Sequence, residues 1–155
     1  PWLFENLKKN NHEMKLKITR FTYVYFGIAL VFAILLGATA PLFFPIFVGS
    51  EFVKASPFVI WFSIAFAFNG MHMMVVNYIF YAEKTVLATL ITIPMVLLNI
   101  TLSYIFILTK GSIGAAQVQA LIAIVSFLCI WFLSNKAWPM PWFSMELLPK
   151  RLRIF

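Results

Sequence analysis

Four long stretches of this chain carry no formal charge, and they decide what it can fold into. Arg20 to Glu51 encloses 30 uncharged residues, Lys54 to Glu83 encloses 28, and Lys84 to Lys110 and Lys110 to Lys136 enclose 25 each. Soluble domains are about a quarter charged, with the charges spread through their elements. Here only 11% of residues are charged, and all of them sit between or beyond the four windows. A helix needs about 20 mainly apolar residues to cross the hydrocarbon core. Four such windows in 155 residues predict an all-α polytopic membrane protein with four transmembrane helices, and leave no room for a soluble catalytic domain.

The windows predict spans over about 21–48, 57–81, 85–108 and 112–134, between a basic lead-in at 1–20 and an interfacial tail at 135–155. Pro41 and Pro45 interrupt the far end of the first span, where a missing N–H is tolerated near the interface. Pro57 suits the first turn of the second, since its absent donor costs nothing there. Pro94 bends or relaxes the third. Lys110-Gly111 turns the chain into the fourth. Trp138-Pro139-Met140-Pro141-Trp142 cannot continue as a regular helix and reads as an interfacial stop with its indoles at headgroup level. The lead-in is partly amphipathic: Trp2, Leu3, Phe4 and Leu7 can lie on the bilayer surface, and Met14 and Ile18 share a helical face at i, i+4. Its lysines and Arg20 suit a solvated cytoplasmic loop with headgroup contacts better than a specific anionic ligand site. The first 20 residues contain no apolar signal-peptide core. The start at Pro1, without an initiator Met, points to a fragment or a processed start.

Loop charge then orients the spans. Lys8, Lys9, Lys15, Lys17, Arg20, Lys84, Lys136, Lys150, Arg151 and Arg153 fall on one side, and only Lys54 and Lys110 on the other. By the positive-inside rule both termini are cytoplasmic. The same distribution accounts for the net charge of +7 through topology and anionic lipid, so the expected partner is the bilayer. No nucleic-acid-binding motif accompanies the basic residues, and no nucleic-acid partner is expected.

Within the spans every polar group is neutral or nearly so. A charge at the bilayer centre costs about 3 kcal/mol on insertion scales and usually marks an ion path. The lack of one argues against a carboxylate-based proton or sodium site in this segment. In the second span Asn69, His72 and Asn77 fall within about 140° of one another, on a broad face with Met73 and Val76. His72 is the embedded side chain that can become cationic near neutral pH. In the third, Thr85, Thr89, Thr92, Val96, Asn99 and Ser103 form a polar stripe. In the fourth, Ala116, Gln119, Ala120, Ala123 and Ser126 form a small-residue stripe behind Gly111 and Gly114.

Two readings of these faces stand side by side. Small residues let helix backbones approach, and Asn, Gln, Ser and Thr hydrogen-bond between helices, which suits the third and fourth spans to packing. Alternatively, Asn69, His72, Asn77 and Asn99 face a water-filled cavity that accepts a polar substrate. Asn99-Ile100-Thr101 matches a glycosylation sequon, but its place inside a span makes the match chance. Cys129 has no partner for a disulfide or a CxxC site and reads as a packing residue. There is no phosphate loop, paired catalytic carboxylates, metal-ligand spacing or nucleophile elbow, so neither an enzyme nor a cofactor or metal is expected.

The ordered features resemble a known family. Pro1-Trp2-Leu3 opens a basic loop before a span ending Ala40-Pro41-Leu42-Phe43-Phe44-Pro45 and then Gly49-Ser50-Glu51-Phe52. A second span closes in Asn77-Tyr78-Ile79-Phe80-Tyr81-Ala82-Glu83-Lys84-Thr85. The third contains Leu98-Asn99, and Gly111-Ser112-Ile113-Gly114-Ala115-Ala116 leads into the fourth. With the Trp138-Pro139-Met140-Pro141-Trp142 ending, this order is similar to that of bacterial polysaccharide exporters and O-antigen flippases, within the MATE-like multidrug/oligosaccharidyl-lipid/polysaccharide exporter superfamily. The resemblance covers nearly the whole chain.

The resemblance implies two helical lobes around a central cavity, with this chain supplying the last four spans of the second lobe. It implies a bacterial inner-membrane transporter that flips polyprenyl-pyrophosphate-linked oligosaccharide, such as an O-antigen repeat unit, by alternating access. Asn69, His72, Asn77 and Asn99 would face its cavity. The chain departs from that template in lacking the remaining spans and any cationic residue at bilayer depth to meet a pyrophosphate. The alternatives are the same fold exporting drugs or other amphiphiles, and a self-contained four-helix membrane protein. As a small dimeric multidrug transporter, the latter would need an embedded Glu between Phe21 and Val48, where there is none. As a structural or assembly subunit, it would have no polar cavity.

Overall fold

Hydrocarbon offers no hydrogen-bond partner, so a chain inside it must satisfy its backbone within itself, and a helix does so within one segment. The computed structural model describes residues 2–8, 11–47, 49–144 and 147. In it each charge-free window is a helix. A short α1 (Trp2–Lys8) precedes α2 (His12–Phe47), α3 (Ser56–Tyr81), α4 (Thr85–Lys110) and α5 (Ser112–Ala137). All four long helices are long and apolar enough to cross a membrane, and the described residues contain no strand. The protein is an all-α polytopic membrane protein.

The helix ends follow local chemistry. α2 starts at His12, well before Phe21, because Asn11 caps it: its Oδ1 accepts the Glu13 N–H at 3.0 Å, and Glu13 lies in the first turn, where the helix dipole favours an acid. The second half of the lead-in is therefore continuous with the first span. Pro41 and Pro45 lie inside the last turns of α2, and the Gly49 N–H closes back on the Phe44 carbonyl at 2.9 Å. Val48 lies outside the described residues. A 3₁₀ turn (Ser50–Ala55) leads into α3, with Pro57 in its first turn. One residue, Gly111 at φ 71°, both ends α4 and starts α5, a conformation that a Cβ would strain.

Packing makes α5 the centre of the bundle. It lies along both α3 and α4, α2 packs on α3, and the chain neighbours α3 and α4 barely touch. The α3–α5 crossing is alanine on alanine: Ala65, Ala120 and Ala123 are buried together, flanked by Trp61, Ile64 and Phe68. On the α4 side, a Cβ at Gly114 would run into the Phe106 backbone carbonyl. Small residues drive such approaches in lipid, where close packing replaces the hydrophobic effect. No residue of α4 is buried. Cys129 is unpaired and half-buried on α5.

At the end of the bundle that carries Lys15 and Lys136, the tail and the lead-in pack onto the helices. The indoles of Trp138 and Trp142, expected at headgroup level, lie against aromatic rings of the bundle itself. The two prolines turn the chain back, and Trp142, 3% exposed, inserts among Tyr23, Tyr78 and Trp131 with ring centroids 5.8, 5.8 and 5.5 Å away. The Tyr23 hydroxyl donates to the Trp142 carbonyl at 2.8 Å, and Trp138 packs edge-on against Tyr81 beneath the Lys15 ammonium. The lead-in is likewise not a solvated loop: α1 buries Leu7 completely and sets Phe4 against Tyr81. Burying these rings removes more apolar surface from water than leaving them at the interface. Lys9, Lys150, Arg151 and Arg153 lie outside the described residues.

The alanine crossing generates a direct prediction. Ala120→Leu should lower stability by about 1–3 kcal/mol through overpacking, read as a loss of thermal unfolding temperature in detergent. Leu128→Ala, at a position 50% exposed to the lipid side, should leave it unchanged. Equal effects of the two substitutions would contradict the packing described.

Candidate functional site

Because α5 holds both α3 and α4 while these barely meet, a cavity opens between the three helices. Its volume is about 480 Å³. α3 contributes Asn69, His72 and Met73, α4 contributes Thr92, Met95, Val96 and Asn99, and α5 contributes Gln119, Ile122 and Ser126. Asn69, Asn99 and Ser126 each lie within about two residues of the midpoint of their helix. The polar lining is thus concentrated halfway along the spans, where a polar group facing lipid is most costly.

Some of these groups are engaged and some are free. Asn99 Nδ2 donates to Gln119 Oε1 at 3.1 Å, and Ser103 Oγ donates to Asn99 Oδ1 at 3.5 Å, so the polar stripe of α4 is fastened to α5. The Thr92 hydroxyl donates to the Ala88 carbonyl of its own helix at 2.9 Å, the usual recourse of a threonine in an apolar helix. Asn69, His72 and Ser126 make no hydrogen bond to the described residues. Apart from His72 no titratable side chain lines the cavity, and the described residues hold no group of three or more His, Cys, Asp or Glu that could bind a metal. The site can therefore bind by neutral donors and acceptors over an apolar wall.

Of the four residues expected at a cavity, Asn69, His72 and Asn99 come together here. Asn77 does not: it lies outside the lining, and its Nδ2 donates to the Met73 carbonyl one turn back at 2.8 Å. Val76, expected on the same face, is 4% exposed and belongs to the core. Gln119 and Ser126 were read only as part of a packing stripe. The signal that links them to Asn99 is the single-residue turn at Gly111. Counting 1.5 Å per residue from it sets Asn99 and Gln119 within about 6 Å of the same depth.

Compared with known proteins, the chain matches no family model, no curated protein and no solved structure.

The Asn99–Gln119 bond should be worth roughly 0.6–2 kcal/mol. In a double-mutant cycle, Asn99→Leu and Gln119→Leu should each destabilise, and the pair together should cost less than their sum. Strict additivity in unfolding measurements would show that the two amides act independently.

Proposed function

We propose that this chain forms part of a transporter lobe that moves a polyprenyl-pyrophosphate-linked oligosaccharide, an O-antigen or similar repeat unit, across the bacterial inner membrane. The observation that carries the reading is the neutral, hydrogen-bonding cavity at mid-span. Asn69, Asn99 and Gln119 offer amides, each both donor and acceptor, and Ser126 and Thr92 offer hydroxyls. That is the chemistry that meets sugar hydroxyls without selecting for charge. The open apolar walls around Met73, Met95 and Val96 accommodate an amphiphile. Transport would proceed by rocking of this lobe against another, with substrate binding differently to the inward and outward states. The cationic partner for the pyrophosphate is proposed to lie in spans other than these four.

In this reading both termini face the cytoplasm, as the distribution of lysine and arginine between the two ends of the bundle supports. The ordered motifs described above agree with a place in the second lobe of a MATE-like exporter.

A strain lacking the gene tests the proposal. Lipid-linked glycan should accumulate on the cytoplasmic side, and the full-length gene should clear it. His72→Leu or Asn69→Leu should slow clearance about tenfold, the effect of losing one substrate hydrogen bond. Asn77→Leu should clear the glycan at the parental rate. Parental clearance by the Asn69 and His72 variants would reduce the cavity to packing. Accumulation of an amphiphilic drug instead of glycan would favour the exporter alternative.

A further inference from the structure

A second groove, separate from the polar cavity, runs between α2 and α3 and encloses about 380 Å³. Its floor is made of small side chains, Ala33 and Ala67 being 3% and 8% exposed, with Ala29 and Ser63 beside them. Its rims are aromatic, with Phe32 on α2 and Phe66 on α3, 61% and 72% exposed. Tyr25 closes one end, its hydroxyl reaching onto α3 over Gly70, where any Cβ would collide with it. From Tyr25 to Leu36 the groove follows α2 for about 16 Å, close to the ~15 Å depth of one leaflet's hydrocarbon.

The shape and the charge both select an occupant. Helices approach one another through small residues, and a projecting phenylalanine on each rim keeps another backbone away from the small floor. A flexible hydrocarbon chain fits between the rims. Beyond Tyr25, toward the basic end of the bundle, Lys17 lies three turns before Ile28 and so on the same side of α2. Lys17 is exposed and makes no ion pair or hydrogen bond with the described residues. Its backbone is about 12 Å from that of Tyr25, within reach of a headgroup whose acyl chain starts at the tyrosine. We propose that this groove is a binding site for an anionic phospholipid, with one acyl chain on the Ala33–Ala67 floor and its phosphate on the Lys17 ammonium. The site is independent of the transport reading.

Native mass spectrometry of the full chain, released from nanodiscs of equal phosphatidylglycerol and phosphatidylcholine, tests this. The parent should retain phosphatidylglycerol about fivefold over phosphatidylcholine, the effect of one lysine near an anionic lipid. Ala29→Phe and Ser63→Phe, which fill the groove from different helices, should each abolish retention. Lys17→Gln, a surface change that leaves the packing alone, should keep a bound lipid but lose the preference. The proposal is overturned if the filled-groove variants unfold at the parental temperature yet retain lipid as before, or if Lys17→Gln keeps the preference. A parent dimer that either filling substitution splits into monomers would also overturn it, by making the groove a contact between copies.

Discussion

Where α5 crosses α3 the contact is Ala120 and Ala123 on Ala65, and the position of α4 depends on that contact. Side chains this small bring the two backbones close enough for α5 to occupy the middle of the bundle. The glycine at position 111 then folds α4 straight back along the other side of α5, and Gly114 lets the two approach at the Phe106 carbonyl. α4 is consequently attached mainly through α5. The space left between α3 and α4 is the cavity, so its existence is a consequence of how closely α5 packs and not of any residue that lines it.

The two ends of the bundle are built differently. At the end bearing Lys15, the reversed tail, α1 and the inner turns of α2, α3 and α5 share one aromatic layer, with Phe127 stacked on Trp131 and Phe26 and Trp142 set edge-on against them. The layer joins α2 to α5, which otherwise meet mainly through α3. At the opposite end the helices are joined by the short turns at 49–55 and Gly111 and by close approaches at Gly37 and Gly114.

Much of this was legible in the sequence, and the parts that were not have physical reasons. Charge-free windows report hydrocarbon directly, which is why the four helices and the turns at Pro57, Lys84 and Gly111 fall where the charges place them. Helix extension into the polar lead-in shows only faintly in hydropathy, in the Met14 and Ile18 face; the start itself is set by the Asn11 cap, a local hydrogen bond. The fold-back of the tail has no sequence signal, because Trp and Pro near a span end have the same composition whether or not the chain turns back onto the bundle. Asn69, His72 and Asn99 converge because polar residues in a span must face something other than lipid. Asn77 shows the limit of that rule, since an asparagine can also satisfy its amide on its own helix. Gln119 needed the register of the α4–α5 hairpin, which no single-helix pattern contains.

Transport through these spans requires the α3–α4–α5 cavity to hold water at mid-membrane depth. Single cysteines at Asn69, Ser126 and lipid-facing Phe66, in a background with Cys129 replaced by Ala, would measure it through labelling by a membrane-impermeant maleimide. The account predicts labelling at the first two positions and none at Phe66, where the side chain is 72% exposed but away from the cavity. No labelling at Asn69 and Ser126, or equal labelling at all three, would contradict it.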